Sequence, residues 1–428
     1  MKQSTSILAS TVLTEAPVMQ GTLSNAQIGR SSYAASNEAI RPFRVNFPEE
    51  DLVDLKRRIL ATRWPEKENV SDQTQGVPLA TVKALAKYWA TEYDWRKVEA
   101  KLDALPQFIT EIDGLDIHFI HVRSKEKNAR PLIVTHGWPG SPIEQLKIIG
   151  PLTDPTAYGG KAEDAFDVVI PSMPGFGFSG KPTTLGWDPG RIARAQVTLM
   201  KRLGYEKFFA QGGDWGAMVT DLMAVQSPNN LLGMATNFPI GVPAEIEKAA
   251  FAGAPAPSGL SAEEKKAYDQ ISTFTSDFIL QIMMSKRPQS LLATSDSPVG
   301  LATIFLDHDQ ISLAMISRVF DGASEGLTRD DVLDNLTLTW LTNTAVSGFR
   351  IYWENKYDFF SPQGVKIPVV VSAFPDEVIN VPRNWVEKSY PNMVYYKKHN
   401  KGGHFAAFEQ PELLVEDIRE GFRSLRLN

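Results

Sequence analysis

The stretch Lys207-Phe208-Phe209-Ala210-Gln211-Gly212-Gly213-Asp214-Trp215-Gly216, continued by Ala217-Met218-Val219-Thr220-Asp221-Leu222-Met223, decides how the chain is read. A short apolar run ends in paired glycines, an acid follows, a further glycine comes two residues on, and helix formers take over. That order predicts strand, sharp turn and helix, with Asp214 at the apex of the turn. Glycine on either side permits a close backbone approach that other side chains would block. Alone, a Gly-x-Asp-x-Gly turn says little about chemistry, because glycine-rich strand-to-helix turns are common.

Upstream, Phe108-Ile109-Thr110-Glu111-Ile112 and Leu115 to Val122 flank Asp113-Gly114 and predict a hairpin. His118 and His121 fall on opposite faces of its second strand, so they suit structural roles better than one metal site. Pro131-Leu132-Ile133-Val134-Thr135 is a continuously apolar strand of the kind buried on both faces. It runs into the rigid loop His136-Gly137-Trp138-Pro139-Gly140-Ser141, placed where open α/β sheets put their ligands. Phe166-Asp167-Val168-Val169-Ile170-Pro171 is the next strand, and a helix from Arg191 to Leu203 leads to Asp214. Such alternation signals a mostly parallel sheet with helices on both faces.

After about residue 240 the alternation stops, and helical segments with Pro/Gly loops run to about 360, including a capping box at Ser261-Ala262-Glu263-Glu264. An all-helical insertion between sheet strands reads as a lid. Ile367 to Ser372 restores the sheet, ending in Phe374-Pro375-Asp376-Glu377. Asn392 to Tyr396 is the last strand, Lys401-Gly402-Gly403-His404-Phe405 the loop after it, and Pro411 to Leu425 a closing amphipathic helix. Ahead of the sheet, residues 41–107 hold a helix with Leu52, Leu55, Ile59 and Leu60 on one face and a second carrying Val82, Leu85, Ala86 and Trp89. Trp64, Trp89 and Trp95 are expected to dock this segment on the larger body. The expected division is therefore 1–40, 41–107, 108–239, 240–360 and 361–428.

The 428 residues exceed what one core usually organises, and 43% apolar with 22% charged content is that of ordinary globular proteins. A net charge of -6 with no long Lys/Arg run argues against nucleic acid as a partner. The absence of cysteine excludes disulfides, zinc thiolates and Cys nucleophiles. No apolar run approaches the ~18 residues a membrane span needs. Residues 1–40, rich in Ser, Thr and Ala, read as a disordered extension. Ser6-Ile7-Leu8-Ala9 is broken by polar residues too soon for a secretory signal, so a cytoplasmic location is expected and export stays open. A homodimer is compatible with the sequence; neither cofactor nor metal is expected.

Asp214, Glu377 and His404 each follow a sheet strand, in the nucleophile, acid, base order of the α/β-hydrolase fold, which the chain resembles. A carboxylate nucleophile is already ionised near neutral pH and needs no base to attack a saturated carbon, forming an alkyl ester of itself. His404 would then activate water against that ester, oriented by Glu377 or by its neighbour Asp376. The backbone N–H groups of Trp138 and Trp215 are placed to receive the resulting oxyanion.

With the motifs His136-Gly137-Trp138-Pro139, Gly212-Gly213-Asp214-Trp215-Gly216, Phe374-Pro375-Asp376-Glu377 and Gly402-Gly403-His404-Phe405, the chain from Arg41 onward resembles the microsomal type of epoxide hydrolase. The Arg41 to Pro65 segment is similar to that family's wrapping N-terminal domain. The resemblance implies a small apolar epoxide and water as reactants, and it prefers Glu377 to Asp376 as the relay acid. It also implies two lid tyrosines that hydrogen-bond the epoxide oxygen. One maps onto Tyr352 in Phe349-Arg350-Ile351-Tyr352-Trp353; where the other belongs, Phe278-Ile279-Leu280-Gln281 carries no hydroxyl, and Tyr268 is the nearest phenol. Losing one donor would cost about 2 to 4 kcal/mol in the ring-opening barrier. Trp138, Trp215, Tyr352, Phe278 and Leu280 are the expected substrate contacts. A haloalkane-type dehalogenase, with Trp215 as a halide donor, and a non-catalytic binding protein remain alternatives.

Overall fold

In the computed structural model, which describes residues 38–426, nine strands form one sheet in the order β1-β2-β3-β5-β4-β6-β7-β8-β9. They are β1 (Arg41–Pro42), β2 (Gln107–Ile112), β3 (Leu115–Val122), β4 (Arg130–Thr135), β5 (Phe166–Pro171), β6 (Phe208–Gly212), β7 (Leu231–Thr236), β8 (Val369–Ala373) and β9 (Met393–Lys398). Pairing is antiparallel from β1 to β5 through β3, then parallel across β5-β4-β6-β7-β8-β9. The expected extension and the Ser6–Ala9 reading fall on residues 1–37, outside those described.

The β2-β3 turn forms as its sequence predicts: Asp113 and Gly114 both take positive φ, at 53° and 78°, the geometry of a tight two-residue hairpin loop. The two histidines of β3 point to different partners. His118 lies between Ser172 and Gln107, and burial lowers its pKa to about 3; His121 meets the Tyr205 hydroxyl at 3.0 Å. Every residue of β6 is buried, so its apolar character is continuous rather than alternating. From β4 the chain passes to β5 on one side and returns to β6 on the other. The crevice at this reversal, beyond the strands' carboxyl ends, is where α/β sheets take ligands.

Helices Pro189–Arg202 and Trp215–Gln226 pack together against the sheet, and Leu146–Thr153 packs with Pro411–Arg423. Between β7 and β8 the chain is helical, from Ala244–Phe251 to Ala345–Glu354. The Ser261/Glu264 capping box forms at the start of Ala262–Asp277. The segment between β1 and β2 grips this insertion with buried polar bonds: Trp89 Nε1 donates to Thr337 at 2.9 Å and Tyr93 to Asp334 at 2.7 Å. Trp89 and Trp95 are buried, as docking requires. Trp64, at the exit of its helix, is 39% exposed and Leu60 74%, so these two do not dock the segment.

Candidate active site

At the end of β6, Asp214 sits at φ +50° and ψ −127°, a conformation uncommon for any residue with a side chain. The glycines around it explain how the turn closes. A methyl at Gly212 would strike the Gly216 carbonyl, and one at Gly216 the carbonyl of Thr135 on β4. Strand, turn and helix can therefore approach only without side chains at those positions. The Asp214 carboxylate is thereby held out over the switch point.

The loop after β4 supplies its first partner: the Trp138 N–H donates to Asp214 Oδ1 at 2.7 Å. His136 pins that loop to its neighbour, accepting the Met173 N–H at Nε2 (3.1 Å). Burial lowers the His136 pKa to about 4, so the ring stays neutral and keeps this acceptor. The Trp215 N–H belongs to the first helical turn, whose amides lack intrahelical partners, and Asp214 does not cap it. Of the two expected oxyanion donors, then, Trp138 already holds the carboxylate and Trp215 does not.

His404, in the loop after β9, places Nε2 at 3.7 Å from Asp214 Oδ2 and Nδ1 at 2.5 Å from Glu377 Oε1. Glu377 is 2% exposed and also accepts the Val378 N–H, whereas Asp376 faces solvent and pairs through its backbone with Gly403. Burial opposes charge on His404, but the Glu377 carboxylate, then Asp214 and Asp309, outweigh it and push its pKa up to about 10.

The opposite wall comes from the helical insertion. Around the Trp138 indole stand Phe278, Phe305, Phe349, Tyr352 and His308, with ring centroids 5.6 to 6.1 Å away. Tyr352 also meets Trp215 edge to face at 4.8 Å. Burial, and then the Asp214 charge, hold the Tyr352 phenol well above its usual range, so it stays protonated. The Trp215 indole N–H faces that hydroxyl without closing a bond of good geometry, and Nε1 is buried unpartnered. Leu280 follows Phe278 in the helix Ile279–Lys286, half-buried against the core, and that helix packs on Ala345–Glu354, which carries Tyr352. Tyr268 is no second donor: its hydroxyl is given to the Ala254 carbonyl.

Sequence reasoning passed over two groups here. Glu144, fully buried near Asp214, is held at about 8 by burial and so is a neutral acid at pH 7. With Gln211 and Asn237 it lines a small cavity beside Asp214 and His404, about the size of one water molecule. His308 is the other, in the short link between helices Pro298–Leu306 and Gln310–Phe320, with its ring centroid 4.8 Å from that of His404. The signal was available: of six histidines it alone stands in the helical insertion, between two acids. On distance alone Asp214, His308 and His404 could share a cation, as one donor atom of each lies within 4.8 Å of the others.

A nucleophile elbow after β6 with acid and histidine on later strand ends defines an α/β hydrolase, and residues 130–262 match the "alpha/beta hydrolase fold" family. Residues 40–145 match the "Epoxide hydrolase N terminus". A putative epoxide hydrolase of Stigmatella aurantiaca is 48% identical over 90% of this chain and 86% of that protein. Epoxide hydrolase 1 of Oryctolagus cuniculus is 36% identical over 91% and 90%. The juvenile hormone epoxide hydrolase structure from Bombyx mori superposes with a TM-score of 0.79 at 28% identity, covering 91% of this chain and 95% of that one. The chain belongs to the epoxide hydrolases.

Proposed function

We propose that the protein hydrolyses a small apolar epoxide to a vicinal diol through an alkyl ester on Asp214. The observation that carries this reading is His404 Nε2 standing 3.7 Å from Asp214 Oδ2 while Glu377 holds the other ring nitrogen. In the first step an Asp214 oxygen bonds to an epoxide carbon, the C–O bond breaks, and Tyr352 hydrogen-bonds the departing oxygen. Esterification cancels the Asp214 charge, one of the influences that hold the proton on His404, so the ring can yield it to solvent and become a base. His404 then takes a proton from water, and hydroxide adds to the Asp214 carboxyl carbon. The Trp138 N–H, already on Oδ1, stabilises the oxyanion. Collapse expels the diol oxygen, which takes the proton from His404 while Glu377 steadies the imidazolium.

The aromatic wall supports an apolar substrate, and we propose that residues 240–360 act as the lid that carries it, with residues 41–107 bracing that lid and residues 108–239 and 361–428 forming the hydrolase body. The intact triad gives a purely binding role no reason to exist. A dehalogenase would draw on the Trp215 N–H, which here faces Tyr352. His404→Gln provides the test: with styrene oxide it should accumulate a stable adduct on the Asp214 peptide, seen by mass spectrometry, while diol formation falls by roughly 10³-fold or more. Diol formation at an undiminished rate, with no adduct, would overturn the ester mechanism.

A further inference from the structure

A strained ring oxygen that leaves carbon becomes a strongly basic alkoxide, and it must end as a hydroxyl. Tyr352 can hydrogen-bond that oxygen, but a phenol whose proton is held so firmly by burial and by the Asp214 charge is a poor proton source. Among the described residues that face the same space, a second imidazole is equipped for the task. His308 is 3% exposed, and its Nδ1 meets Asp309 Oδ2 at 2.9 Å. The other Asp309 oxygen accepts the Ser312 N–H at 2.7 Å, capping helix Gln310–Phe320, so the carboxylate cannot turn away. Burial opposes its charge, yet the His308 hydrogen bond outweighs that and keeps Asp309 ionised down to about pH 2. With Nδ1 committed, Nε2 is the nitrogen left for the site.

From the placement of this pair we infer that His308, oriented by Asp309, is the catalytic acid of ring opening, delivering the proton from Nε2 to the epoxide oxygen while Tyr352 hydrogen-bonds it. Both residues flank the Trp138 indole, His308 at 5.8 Å and Tyr352 at 5.6 Å between ring centroids, and Phe278 bridges them. An epoxide attacked by Asp214 would hold its oxygen between the two. The rings of Phe274, Phe278 and Phe405 also pack round His308. The charged groups that face it are Asp309, Asp214 and His404; Asp331 lines the adjoining cavity, and Asp307 turns toward Gly76.

The protons balance. The Asp214–carbon bond forms as carbon–oxygen breaks, and the oxygen takes the His308 proton. Ester hydrolysis later regenerates Asp214 as an acid, whose ionisation returns a proton to His308. This role rests on the ester mechanism proposed above.

The test is rapid-quench measurement of Asp214 alkylation and of ester hydrolysis, separately, in the parent, His308→Gln and Asp309→Asn. Asparagine keeps the cap and removes the charge. The probes are 1,2-epoxybutane and 3,3,3-trifluoro-1,2-epoxypropane, whose alkoxides differ in basicity. His308→Gln should slow alkylation by epoxybutane roughly 100-fold and by the trifluoro compound less than about 10-fold, with ester hydrolysis changed by less than about 3-fold. Asp309→Asn should show the same selectivity with a smaller loss. Equal slowing with both epoxides, or alkylation of epoxybutane by both variants within twofold of the parent, overturns the inference alone. Diol release by the parent with no Asp214 adduct sinks the ester mechanism and this role with it.

Discussion

The carboxyl edge of the sheet and the helical insertion face each other across one site, yet they hold their residues by different means. On the sheet side, Asp214, Glu377 and His404 each stand within a few residues of a strand end, fixed by hydrogen-bonded backbone and by glycines that tolerate no replacement. On the insertion side, Tyr352 occupies the last turn of a ten-residue helix, Phe278 a junction between two helices, and His308 a short link. Those positions depend on how helices pack, and the same region leaves Ile279 65% and Ile282 55% exposed. The difference assigns the steps. In the mechanism we propose, bond making and ester hydrolysis fall to the sheet side, where an ångström of misplacement costs most. In that same mechanism, handling of the departing oxygen and of substrate shape falls to the insertion.

The largest expected effect tests the sheet side. Glu377→Gln keeps the shape but removes the charge that orients and stabilises the His404 imidazolium, so ester hydrolysis should fall by roughly 10³- to 10⁴-fold, measured as decay of the Asp214 adduct. Alkylation should be far less affected. If alkylation fell as much as hydrolysis, the division between the two halves would be broken.

Tyr352→Phe tests the other half. It should slow alkylation by roughly 10²- to 10³-fold, the loss typical of one donor at a developing oxyanion, and leave adduct decay nearly unchanged. Equal slowing of the two steps would place Tyr352 in general packing, beside Trp215 and Trp138, rather than at the oxygen.

How much could be read in advance divides along the same line. Asp214, Glu377 and His404 were legible because strand-end chemistry is punctuated: an apolar run, a glycine or proline turn, then a polar residue. The Asp-Gly hairpin and the Ser261 capping box were legible for the same reason, since local geometry demands those residue types. Helix packing leaves no such punctuation. His308 reaches the site only because two helices meet at its link, and Tyr268 is drawn to a backbone carbonyl. Glu144 was hidden for another reason: burial, which makes it a neutral acid, is a property of the assembled fold.

The smallest expected effect concerns what keeps the insertion in place. Tyr93 reaches from the segment between β1 and β2 and gives its hydroxyl to Asp334 on an insertion helix, both buried. Burial raises the Asp334 pKa to about 7, and the Tyr93 hydrogen bond restrains that rise. Because the folded value lies above the unfolded one near 3.8, ionising Asp334 works against the fold, and its contribution is lost as pH climbs from about 4 through 7. Tyr93→Phe removes a donor to the ionised form and should widen that loss, costing about 1–3 kcal/mol at pH 8.5 and less at pH 5.5 in denaturant titrations. The ratio of alkylation to hydrolysis should shift with it, because a loosened insertion misplaces Tyr352 while the triad stays on the sheet. A stability loss independent of pH would mean that the contact is one of shape alone.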